Sequence, residues 1–196
     1  MSRRICFALA LFAVHVGVSQ AQDARDTPRG EVALSDDTLQ LRYIDSGQRI
    51  DAGRASRISA GFFLSESRDI VLSGDVLLSA QLDFDRLQVL FGPRFYAALL
   101  EDENNDVLAA SLGTELRYEL DRTSGLAISG QAFYAPDILT FGSADNLTDL
   151  SARLELRLQP RLTVYGGMRW FEFELTDGEG DRTLQEELFA GMGWRF

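Results

Sequence analysis

Apolar and polar residues alternate along most of this chain, and no other feature limits its fold so tightly. Over residues 107–120, Leu108, Ala110, Leu112, Leu116, Tyr118 and Leu120 fall on one side. Ser111, Gly113, Glu115, Arg117 and Glu119 fall on the other. Residues 149–159 repeat the pattern, with Leu150, Ala152, Leu154, Leu156 and Leu158 opposing Ser151, Arg153, Glu155, Arg157 and Gln159. A helix would scatter Glu and Arg around its apolar stripe, whereas a strand turns successive side chains to opposite faces. Leu and Arg favour helices individually, but so regular an alternation overrides them.

Similar segments occupy residues 38–44, 56–65, 70–81, 87–98, 126–135, 162–173 and 184–196. Turn compositions separate them: Asp45-Ser46-Gly47, Glu66-Ser67-Arg68-Asp69, Asp83-Phe84-Asp85, residues 101–106, 121–125 and 136–146, Gln159-Pro160-Arg161, and residues 176–181. At Trp170-Phe171 the apolar residues change face, which reads as a phase slip or β-bulge. Nine strands are clear, and a tenth arises if Ser35-Asp36-Asp37 folds residues 31–34 onto 38–44. Closed single-chain bacterial barrels have even strand numbers. The expectation is an all-β, antiparallel up-and-down transmembrane β-barrel of eight to ten strands, with short turns at the end that holds the C-terminus.

The front of the chain reads as an export signal. Arg3 and Arg4 precede an apolar run over residues 5–18, too short for a membrane-spanning helix. Ser19-Gln20-Ala21 then offers small residues for cleavage before Gln22. Residues 1–21 are thus read as a signal peptide and 22–196 as the barrel domain. The only cysteine, Cys6, and the only histidine, His15, lie in the signal, and the chain has no lysine. The mature protein therefore has no imidazole or thiolate for nucleophilic catalysis, and no Cys/His metal set. Neither enzymatic activity nor a cofactor is expected. A net charge of −11 argues against nucleic acid.

Alternation alone does not say which face points inward. A soluble periplasmic lipocalin-like barrel would bury the apolar face around an apolar ligand; an outer-membrane barrel turns it to lipid. Here the apolar faces are long and run through every strand, while the alternate faces mix Gly, Ser, Gln, Glu and Arg, which favours lipid outside. On that reading Asp75, Arg86, Arg94, Glu115, Arg117, Glu119, Arg153, Glu155, Arg157, Arg169 and Arg195 line the lumen. They form either a selective pore lining or a paired network filling a narrow barrel, and eight to ten strands favour filling. Tyr43, Phe91, Phe95, Tyr118, Tyr134 and Trp170, with Phe62 and Phe63, read as interfacial aromatics at the headgroup level.

The C-terminal strand alternates through Phe189 and ends Gly191-Met192-Gly193-Trp194-Arg195-Phe196. Gly191, Trp194 and Phe196 resemble the terminal signal read by barrel-assembly machinery. With Phe62-Phe63-Leu64-Ser65-Glu66 and the segment from Tyr165 to Phe171, this end makes the chain resemble the YfaZ family of outer-membrane proteins. That resemblance implies a small barrel and supplies no catalytic residues. The expected partners are outer-membrane lipid, lipopolysaccharide and the assembly machinery, around a monomer. Acidic residues 101–106 and 177–181 read as solvated turns, with weak divalent-cation binding as the alternative. Glu115 and Glu119 share a strand face with Arg117 between them, which favours ion pairing over acid–base chemistry. The functional expectation is a barrel with a structural or narrow passive-channel role.

Overall fold

The computed structural model describes residues 27–196 except 52–53, 81–84, 101–104 and 176–180. The expected signal peptide, and most of the two acidic loops, lie outside the described residues. Among the described residues eleven strands follow one another: β1 (Arg29–Leu34), β2 (Thr38–Asp51), β3 (Arg54–Ser65), β4 (Ile70–Ser79), β5 (Leu87–Leu100), β6 (Asn105–Asp121), β7 (Leu126–Ala135), β8 (Thr140–Gly142), β9 (Ala144–Gln159), β10 (Leu162–Leu175) and β11 (Asp181–Arg195). All pairings are antiparallel and join chain neighbours, apart from β6 with β8 and β7 with β9 around the short β8, and β1 with β11, which pair from Arg29↔Arg195 to Leu34↔Ala190 and close the ring.

The ring has ten staves, because β7 and β8 share one. Both pair with β6: β7 takes Leu112 to Asp121, and β8 takes Val107 to Ala109. Between them Pro136, which has no N–H to give the ladder, starts a short 3-10 turn over Asp137–Leu139. Gly142 then adopts φ +102, and a Cβ there would lie 2.0 Å from the Asp106 carbonyl oxygen. Residues 136–146, expected to be one loop, are therefore mostly strand. Three-residue β8 is too short to show alternation.

The expected turn at Asp45-Ser46-Gly47 is also corrected. β2 runs on to Asp51, and the turn-forming composition becomes a register shift between Asp45 and Gln48 opposite β3. The predicted tenth strand is present as β1, folded onto β2 with Val32 opposite Leu41. The slip expected at Trp170-Phe171 falls beside it, between Phe171 and Glu172 opposite Gln185 and Thr183. The turn after β6 forms as its composition predicts: Asp121 accepts the N–H groups of Thr123 and Ser124, and Gly125 takes φ +67.

Strand parity separates two environments. Outward lie Leu112, Leu116, Tyr118, Leu154, Met168, Leu188 and Met192, all among the exposed large hydrophobics. Inward lie buried charges such as Asp75, Arg94, Asp149, Glu155 and Arg169. This is the reverse of a soluble barrel, so the lipocalin-like alternative is not supported.

Candidate functional site: the lumen

The lumen has three levels. At the end away from the chain termini (the loop end), inward residues of β3, β4, β5, β6, β7, β9, β10 and β11 converge on an apolar plug: Phe63, Val71, Tyr96, Leu100, Val107, Leu147, Phe171, Phe173 and Leu184, with small alanines between them. Phe171 is its hub, with ring centroids 5.7 Å from Phe63, 5.7 Å from Tyr96 and 5.5 Å from Phe173. Phe63, expected at the membrane interface, points inward here. Alternation marks a residue's face but not whether an apolar face is lipid or a packed interior.

Beneath the plug lies a lattice of guanidinium and carboxylate groups centred on Arg94. Its Nε donates to Asp75 at 3.0 Å, Nη2 to Glu115 at 2.9 Å and to Gln131 at 3.2 Å, and Nη1 to Asp149 at 3.2 Å. Its guanidinium also sits 3.7 Å over the Phe133 ring. Arg42 donates to Asp75 at 2.8 Å and to Glu115 at 2.9 Å, and Arg57 pairs with Glu115 as well. Asp149 receives a fork from Arg169, at 2.8 and 3.0 Å, and the Tyr96 hydroxyl at 2.8 Å. A planar guanidinium can bond several carboxylates at fixed angles, which an ammonium cannot do, and this suits a lysine-free chain.

A second group lies nearer the chain termini. Arg153 donates to Glu31 at 3.0 Å and to Glu155 at 2.9 Å, while lying 4.6 Å over the Tyr165 ring. Arg117 joins Glu155 at 3.1 Å and Glu119 at 3.0 Å, and Arg29 joins Glu31 at 2.8 Å. Below and between these side chains a basin of about 600 Å³ opens at the end that holds the termini. A separate cleft of about 370 Å³, at the opposite end beside Leu184, is lined by Asp37, Glu66, Asp69 and Glu187 among others. The plug lies between the two.

Of the predicted lumen residues, Asp75, Arg94, Glu115, Arg117, Glu119, Arg153, Glu155 and Arg169 are brought together by ion pairs. Arg86, Arg157 and Arg195 line the basin without an ion pair among the described residues. Sequence reasoning missed Arg29, Glu31, Arg42, Arg57 and Asp149. For two of these the signal was present: Arg42 has the parity of Gln40, and Asp149 that of Ser151 and Arg153. Tyr43, Phe91, Phe95, Tyr118, Tyr134 and Trp170 all lie outward and exposed, as do Trp194 and Phe196. Gly191 points inward, where a Cβ would come within 2.5 Å of the Tyr165 ring. Glycine at that position therefore has a packing reason within the fold.

No grouping of His, Cys, Asp and Glu among the described residues could hold a metal ion. Residues 50–196 match the sequence family described as YfaZ precursor. The chain belongs to the YfaZ family. Among solved structures it is similar to a NanC porin, at 13% identity and a TM-score of 0.42, over 86% of this chain and 98% of that one. No curated protein matches it. Family membership and the inside-out arrangement of faces identify this YfaZ-family chain as an outer-membrane barrel.

The outward face gives a direct check. Leu154 lies in the middle of β9, half exposed, opposite Gly166 and Ile128. Leu154→Arg places a charge in lipid and is expected to destabilise the barrel by about 2–4 kcal/mol, whereas Leu154→Phe is tolerated. Urea titration in lipid vesicles, followed by heat-dependent gel mobility, measures the difference. Equal midpoints for the two variants would place this face away from lipid.

Proposed function

We propose that this YfaZ-family protein is exported with removal of residues 1–21 and serves as a closed, structural barrel of the outer membrane rather than as a passive channel. The termini and the basin face the periplasm, and the plugged end faces outward. The observation that carries this reading is the apolar plug, whose Phe171 and Phe173 are wholly buried across the lumen at the loop end. Hydrated ions crossing such a constriction would shed water without gaining polar partners. Below it the buried charges neutralise one another at 2.8–3.2 Å, as a filled interior requires. Tyr43, Phe91, Phe95, Tyr118, Tyr134 and Trp170 serve as interfacial anchors toward lipid and lipopolysaccharide, and Gly191, Trp194 and Phe196 serve assembly. No catalytic role is assigned to any residue.

The test is reconstitution of the detergent-extracted, heat-modifiable protein in planar bilayers. The expected result is no discrete conductance steps in potassium chloride at any applied voltage. Reproducible single-channel steps from the unaltered protein would overturn the closed-barrel reading and restore the passive channel.

A further inference from the structure

We infer that the basin binds a compact multivalent oxyanion, bearing phosphate or carboxylate groups, between arginines that the lattice leaves over. The inference rests on the reading that the termini end is the open one. The chain carries a net charge of −11, yet the basin has the opposite sign: ten arginines and five carboxylates line it. Deep in the lumen each carboxylate is shared. Glu115 takes Arg42, Arg57 and Arg94; Glu155 takes Arg117 and Arg153; Glu31 takes Arg29 and Arg153.

Toward the mouth the carboxylates run out. Among the described residues neither Arg157 nor Arg195 has an ion pair, and Arg195 reaches only the Pro160 carbonyl oxygen, at 3.5 Å. Arg29, Arg117 and Arg157 line the same basin as Arg195. Like charges gathered in a recess with low-dielectric walls focus the potential and draw in counter-ions. Guanidinium groups add forked donors that match phosphate and carboxylate oxygens. At the basin floor, Arg57 Nε is buried without a hydrogen-bond partner among the described residues. A basin of about 600 Å³ is the size of a small-molecule site and too large for one monovalent ion to fill. Cations at both mouth and floor therefore favour a ligand with two or more anionic groups.

The test is calorimetric titration of the folded full-length protein in neutral detergent with inorganic pyrophosphate and with citrate, at constant ionic strength set with chloride. Saturable one-to-one binding is expected for at least one probe. The double variant Arg157→Gln/Arg195→Gln should weaken it about tenfold. Arg68→Gln/Arg161→Gln removes the same charge outside the basin and should bind as the parent does. No saturable binding by heat-modifiable parent protein, or equal weakening in both double variants, overturns the inference. Calorimetry in detergent does not depend on conductance. Binding by a protein that conducts would retain the anion site and remove the closed barrel, and silence without binding would do the reverse.

Discussion

Replacing Phe171 and Phe173 together with alanine should turn a silent barrel into one that conducts. Both rings are wholly buried and stand on the inward face of β10, where Phe171 contacts Phe63, Tyr96 and Phe173. The Arg169 guanidinium lies 4.3 Å from the Phe171 ring and 5.4 Å from the Phe63 ring, so the plug also caps the lattice beneath it. Truncating both rings removes the centre of the constriction and exposes a guanidinium to the opening. Water then has a polar partner to follow inward. Each Phe→Ala change in a packed core costs about 3–5 kcal/mol, so the variant must first be shown to retain its heat-dependent mobility. Phe171→Leu/Phe173→Leu keeps most of the apolar volume and is expected to stay silent. The measurement is single-channel recording in planar bilayers. A folded double-alanine variant that stays silent would show that these rings do not set the closure.

Loss of Asp149 should be the most damaging single change in the lattice. Its carboxylate is fully buried and accepts four hydrogen bonds, two from Arg169, one from Arg94 and one from Tyr96. Arg94 keeps Asp75 and Glu115 when Asp149 is removed. Arg169 does not fare so well, because Asp149 is its one ion-pair partner among the described residues. Asp149→Ala therefore strands a buried cation under the plug and should cost about 3–5 kcal/mol. Asp149→Leu/Arg169→Met removes both charges at similar volume and should recover most of that loss, since an apolar pair in a closed interior replaces an ion pair at little cost. Urea midpoints of the heat-modifiable band in vesicles report both variants. A single alanine variant within about 1 kcal/mol of the parent would mean that water already reaches Arg169.

Much of this was legible from parity. Leu150 to Leu158 and Leu108 to Leu120 announce strands whose apolar faces cannot all be buried in a chain of this size, and Glu115, Arg117, Arg153 and Glu155 fall on the face that becomes the lumen. Parity could not say which carboxylate meets which guanidinium. Arg42 and Glu115 are far apart in sequence, and only closure of the ring and its strand stagger bring them within 2.9 Å. The plug was hidden for a different reason. Phe171 and Phe173 read as part of a change of face at Trp170-Phe171 because an apolar side chain does not say lipid or lumen. The register shift beside them is taken up by β11 between Thr183 and Gln185. Both phenylalanines keep the inward parity of Arg169 and mark a change along the lumen, from paired charge to packed rings. Asp45-Ser46-Gly47 misled similarly, since residues that favour a turn also tolerate a bulge inside a long strand.

The thin seam between β1 and β11 sets how this molecule must come into being. Every other junction joins strands that follow one another in the chain or are separated by a single strand, and these can zip from a nearby turn. Among the described residues the seam joins β1 to β11 through six residue pairs, from Arg29↔Arg195 to Leu34↔Ala190, and it has no such turn to start from. Bringing the two ends together costs loop-closure entropy before any of those pairs forms, which places the step late and makes it slow. Its reinforcement comes from across the lumen, where Arg153 on β9 holds Glu31 on β1 and Tyr165 on β10 donates to the Val32 carbonyl oxygen. Those contacts exist only once the circle is complete. Closure and interior therefore form as one cooperative event, and a half-closed barrel has little to hold it in place.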